Sequence, residues 1–218
     1  GTAITEVDVL VEDNTVYQID GVPLSGLAGL VAMAALSNGT WVQTYGALDL
    51  VAGRICATYV EAGTGTYNGG TDIVEGHVVG RTGGEGADAT FRVLGFSDDA
   101  SHTSFQFNTE FTVTTAFNAT KVVRRGSAGL FNTNAVNVGQ RIRVFGALSG
   151  TAMNATSSAA VVRAQPTRVL GFANAAPASE TLAIDLERVG LRSHDLFTWT
   201  EGGATPPNPD AMALAVGS

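Results

Sequence analysis

The chain has 218 residues, 44% of them hydrophobic and 15% charged, with 27 glycines and a net charge of −8. It is too apolar for a disordered chain, and acidic enough to repel phosphate backbones and anionic lipids. Its one cysteine, Cys56, excludes an intrachain disulfide and a zinc site built from thiols.

Ile4 to Val11 alternates and predicts a strand, Glu12-Asp13-Asn14-Thr15 reads as a turn, and Val16–Ile19 as the return strand. Leu24–Leu36 is apolar but broken by Gly26 and Gly29. It falls short of the ~18 apolar residues of a membrane helix and reads as a short buried helix. Trp41–Leu48 predicts a strand with Trp41, Gln43 and Tyr45 on one face, and Arg54–Glu61 predicts another, with Cys56 as a small buried hydrophobe. Gly63–Gly70 is glycine-rich and reads as a flexible linker.

Strands are next predicted at Ile73–Gly80, Thr90–Phe96, Ser104–Val113, Gln140–Leu148 and Ala159–Arg163, with a long polar connection over Asn118–Asn134. Val169–Phe172, Leu182–Leu186 and Leu196–Thr200 read as strands. Pro206, Pro207 and Pro209 then exclude regular pairing, and Ala211–Val216 is a last apolar run.

These elements repeat. Arg92-Val93-Leu94-Gly95-Phe96 recurs as Arg168-Val169-Leu170-Gly171-Phe172, and Tyr45-Gly46-Ala47-Leu48 recurs 100 residues later as Phe145-Gly146-Ala147-Leu148. The expected fold is all-β: tandem small barrel or sandwich units with one short helix, divided as 1–66, 67–168 and 169–218. The middle unit is the most complete. The end units lack strands, which leaves edges to be paired within the chain or by strand exchange with a neighbour. The residues expected to assemble are Ile4, Val7 and Val9 at one end and Met212, Leu214 and Val216 at the other.

The V-x-G-x-V opening at Val74–Val78, the strand Phe105-Gln106-Phe107-Asn108 and the stretch Val138–Leu148 resemble a family of small bacterial β-domains of unknown function. Such domains occur in tandem in exported and lipid-anchored proteins. The resemblance is best over Ile73–Arg163, weaker in the first copy and partial in the third. It implies OB-like barrels and no catalytic residues.

Known catalytic patterns are missing. There is no G-x-S-x-G and no P-loop lysine after Gly63-Thr64-Gly65-Thr66. The histidines His77, His102 and His194 have no metal-ligand spacing, and on a strand the neighbours His194 and Asp195 point to opposite faces. The acidic segments with Asp13 and with Asp98 and Asp99 read as equivalent hairpin loops, whose oxygens suit Ca²⁺ or simply suit turns. Apart from that, no cofactor is expected. Phe91, Phe105, Phe107, Phe111 and Phe117 read as barrel interior rather than a base-stacking platform, although Lys121, Arg124, Arg125, Arg141 and Arg143 form a local basic run.

The leading expectation is a non-enzymatic structural protein, self-associating through its terminal strands into a filament. Low lysine, Ser/Thr/Asn/Gly richness and a start at Gly1 read as export, to the cell surface or outside the cell, with the periplasm as alternative. A carbohydrate or small-ligand module using Trp41, Tyr45 and Trp199 is the alternative, and a single-strand nucleic-acid module the second. No membrane span is expected.

Overall fold

Three sheets follow one another along the chain. The computed structural model describes residues 8–67, 69–173, 181–199 and 212–215. The first sheet contains β1 (Asp8–Ile19), β2 (Val22–Ser25), β3 (Val42–Asp49) and β4 (Arg54–Ala62), in the order β2-β1-β4-β3 with β1 parallel to β4. Helix α1 (Gly26–Ala34) follows β2 and packs on β1. Gly29 makes that packing close, because a Cβ there would lie 2.0 Å from the Tyr17 ring.

The middle sheet contains β5 (Asp72–Thr82), β6 (Thr90–Asp98), β7 (Phe105–Thr115), β8 (Lys121–Arg124), β9 (Leu130–Phe131), β10 (Arg141–Ser149), β11 (Ala152–Ala155) and β12 (Val161–Gln165). β5, β6 and β7 form an antiparallel meander, β7 runs parallel to β11, β11 pairs with β10, and β10 returns to β5. Five strands thus close on themselves into a small barrel. Phe91, Val93, Phe111, Val113, Ile142 and Val144 fill its interior. The inner end of β10 pairs with β12, which extends the sheet to β8 and β9. The third sheet has β13 (Val169–Ala173), β14 (Thr181–Val189), β15 (Arg192–Ser193) and β16 (Met212–Ala215). Leu186, Val189 and Phe197 bury themselves with Val79 of the barrel.

The fold class is therefore all-β with one short helix among the described residues, and several local expectations need correction. Glu12–Thr15 is not a turn: β1 runs through it, with a register shift between Val11 and Val16. The Thr15 hydroxyl holds this bulge by donating to the Ala57 carbonyl at 2.9 Å while accepting from the Glu12 N–H. Helix α1 is not buried, since Leu27, Leu30 and Val31 face outward. Gly63–Gly70 is not simply a linker. Thr66 is buried, and its N–H and hydroxyl both bond the Gly63 carbonyl. Asn118–Asn134 contains β8 and β9 rather than a bare connection, and β11 was not expected. Leu196–Thr200 is not a strand: His194–Leu196 is a 3₁₀ turn, and the Thr198 N–H bonds the Val79 carbonyl. Thr200 lies outside the described residues. Cys56 is half-buried on β4.

A buried arginine is central to the junction between the first sheet and the middle one. Arg163 on β12 is 1% exposed. Its Nη1 donates to Glu61 Oε2 at 3.0 Å and to the Gly65 carbonyl at 2.7 Å, and its Nε donates to Gln18 Oε1 at 2.8 Å. The guanidinium also lies over the Phe145 ring. Breaking a buried pair leaves a charge without compensation, so Arg163→Ala is expected to cost about 3–5 kcal/mol, whereas removing both charges in Arg163→Met with Glu61→Gln costs less. Urea unfolding of both variants measures this. Equal losses would show that the charge pair is not what matters.

Candidate functional site

The repeat locates an opening in the first unit. Tyr45-Gly46-Ala47-Leu48 on β3 corresponds to Phe145-Gly146-Ala147-Leu148 on β10. The pairing carries this correspondence outward. Gln43 pairs with Glu61 as Arg143 pairs with Arg163, so β4 corresponds to β11 plus β12. β1 lies parallel to β4 as β7 and β8 lie parallel to β11 and β12. β2 flanks β1 as β9 flanks β8. Nothing among the described residues corresponds to β5 and β6, the pair that closes the middle barrel between β7 and β10.

The side chains register that gap. Val113, inside the closed barrel, is 0% exposed, whereas Val9 at the matching place on β1 is 40% exposed. Ile142 is 0% exposed and its counterpart Val42 on β3 is 45% exposed. Leu48 is exposed as well. Among the described residues, the outer edge of β3 and the Asp8–Val11 edge of β1 away from β4 have no strand partner. An open half-barrel with apolar interior positions and two edges unpaired among the described residues has the geometry that strand addition requires.

The expected site residues fall in separate places. Val9 is on the open edge. Ile4, Val7 and Val216 lie outside the described residues. Met212 and Leu214 are on β16, which pairs antiparallel with β14 of the same chain. Trp41 precedes β3, beside Tyr67. Tyr45 faces the middle unit, with the Arg125 guanidinium 3.6 Å above its ring. Trp199 packs on Phe197 and close to Gly139. No cavity found among the described residues is lined by all three rings.

The acidic segments are not equivalent loops either. Asp13 is in the β1 bulge. Asp98 accepts from the Tyr67 hydroxyl at 2.7 Å and contacts His102 Nδ1 at 2.6 Å. Asp99 accepts from the N–H groups of Thr103 and Ser104. Those turn bonds hold its carboxyl below the usual range. Among the described residues no group of three His, Cys, Asp or Glu is placed to hold a metal ion, and no helix is long and apolar enough to cross a membrane. His194 and Asp195 do meet, at 3.0 Å, because a 3₁₀ turn replaces the expected strand.

The basic run is divided among different partners. Lys121 donates to the Asp20 carbonyl, Arg124 lies over Phe131, Arg125 lies over Tyr45, and Arg141 and Arg143 both hold Glu75. Phe91 and Phe111 are interior as expected, but Phe105 and Phe107 face outward.

No family model matches the chain, and no curated protein matches it.

Where the third sheet meets the barrel, the His77 ring of β5 packs against Gly190, whose φ is +64°, and edge-on to Phe197. Burial, reinforced by Arg192 and Arg141 against the weaker pull of Glu75, lowers its pKa from the usual 6.5 to about 4. The unfolded chain therefore takes up a proton that the folded chain refuses between those values. Stability contributed at this junction is expected to be full above pH 6.5, to fall as the pH drops towards 4, and to level off below. Urea midpoints measured across that window test this. His77→Gln should flatten the slope, and an unchanged slope would assign it to other groups.

Proposed function

We propose that the chain is a non-enzymatic structural subunit that assembles by β-completion, its open first unit taking strands from a second copy. The observation that carries this reading is the exposure of Val9 and Val42 at places where the closed barrel buries Val113 and Ile142. The neighbouring copy carries a strand with an edge of its own: among the described residues β13 pairs only with β14, and its Leu170 and Phe172 are exposed. Contact between two different surfaces, one on each copy, does not close by a two-fold axis and propagates into rings or filaments. Such a subunit suits an exported, cell-surface setting. On this reading the acceptor is at β1 and β3, and the C-terminal strand β16 pairs with β14 of its own chain.

Sedimentation and electron microscopy at rising concentration are expected to show growing oligomers or filaments. Val42→Lys with Leu48→Lys puts charge at the opening, at residues already exposed in the monomer. It should abolish growth while leaving the urea midpoint of the monomer nearly unchanged. A wild-type chain that stays monomeric at millimolar concentration would overturn the proposal.

A further inference from the structure

We infer that the cleft between the barrel and the third sheet binds a small molecule in which a carboxylate or phosphate is joined to a flat apolar body. The cleft has a volume of about 650 Å³ and is formed by β5, β6 and β7 on one side and the Gly190–Arg192 turn on the other. Such a volume lies within the range of small-molecule sites.

Its charge runs against that of the chain. Three arginines line it, Arg141, Arg168 and Arg192, and Glu75 is its one carboxylate. Glu75 is 2% exposed and is held by Arg141 together with Arg143. Among the described residues the other two guanidiniums have no carboxylate partner. Arg192 donates to the neutral side-chain oxygen of Asn108 at 3.1 Å, and Arg168 makes no ion pair among the described residues. Arginine forks match carboxylate and phosphate geometry, and in a cleft of one sign they concentrate anions. A long polyanion would also meet the rest of a chain with net charge −8, which favours a small ligand.

The apolar half of the site is equally definite. Gly76 and Gly95 pair across β5 and β6 in its floor, and a Cβ on either would collide with the neighbouring backbone. The strands need glycine there, and the result is a flat surface without side chains. Phe107 stands beside it, 76% exposed, and its ring face is available to stack on a flat apolar group.

Calorimetry on the full chain with phenyl phosphate, benzoate, inorganic phosphate and benzyl alcohol tests the inference. Phenyl phosphate or benzoate should bind, whichever is tighter naming the oxyanion, while inorganic phosphate binds at least about tenfold more weakly and benzyl alcohol not measurably. Arg168→Gln, at an exposed position, should weaken both aromatic anions by about tenfold or more without moving the thermal midpoint. Phe107→Ala should weaken the aromatic anions but not inorganic phosphate. Failure of both aromatic anions to bind, or binding that both variants leave unchanged, would overturn the inference. Either result is independent of whether the chain self-associates, because monomeric protein at low concentration suffices.

Discussion

The relation between the first two units depends on Arg163. Glu61 and Arg163 occupy matching positions of the repeat, one on β4 and one on β12, and they face each other. The units are therefore joined back to back through equivalent strands. In an undiverged repeat the same residue would meet itself there, and two like charges in a dry contact repel strongly. Divergence into Glu and Arg turns the clash into a bond and fixes the pairing of one particular unit with one other. Gln18 and the Gly65 carbonyl accept further bonds from the guanidinium, while the second oxygen of Glu61, Oε1, is buried without a hydrogen bond among the described residues.

The recurring glycines have a physical reason that composition alone does not reveal. A Cβ on Gly46 would lie 2.0 Å from the Cys56 carbonyl oxygen, on Gly95 1.9 Å from that of Glu75, and on Gly171 2.0 Å from that of Asp185. Each of these glycines adjoins a register shift. They allow one strand to cross close over another where a small barrel must bend. The repeated signature thus encodes curvature, which is why it survives in units that share no surface chemistry.

The same shifts set how far the sequence could be read. Long alternating strands such as β5, β6 and β10 were legible from period two, and the repeat located the units. Glu12–Thr15 was misread because bulges and turns select the same short polar residues; only the buried Thr15 hydroxyl distinguishes them. β8, β9 and β11 are too short for alternation to show. Phe105 and Phe107 have the same parity as Phe111, and along an unbroken strand all three would point inward. Asn108, with φ of +52°, is the extra residue in β7, lying between Phe107, opposite Phe96, and Thr109, opposite Gly95. It reverses the phase, so that Phe111 stays inside and Phe107 turns out beside the cleft. A single asparagine able to adopt positive φ gave no periodic signal, and the cleft was hidden with it.

The first and third sheets dispose of their apolar surface differently. The third turns Leu186 and Val189, with Phe197 after them, against Val79 of the barrel, while Leu170 and Phe172 of β13 stay exposed. The first unit meets its neighbour through Arg163, Glu61, Gln18 and Lys121, contacts that carry polar groups and leave its own barrel interior facing the gap between β1 and β3. Apolar burial scales with area removed from water, so added strands gain most where interior positions lie open. On the proposed reading that asymmetry makes the first unit the acceptor, while the third offers the exposed Leu170 and Phe172 of β13 on one side and walls the cleft on the other.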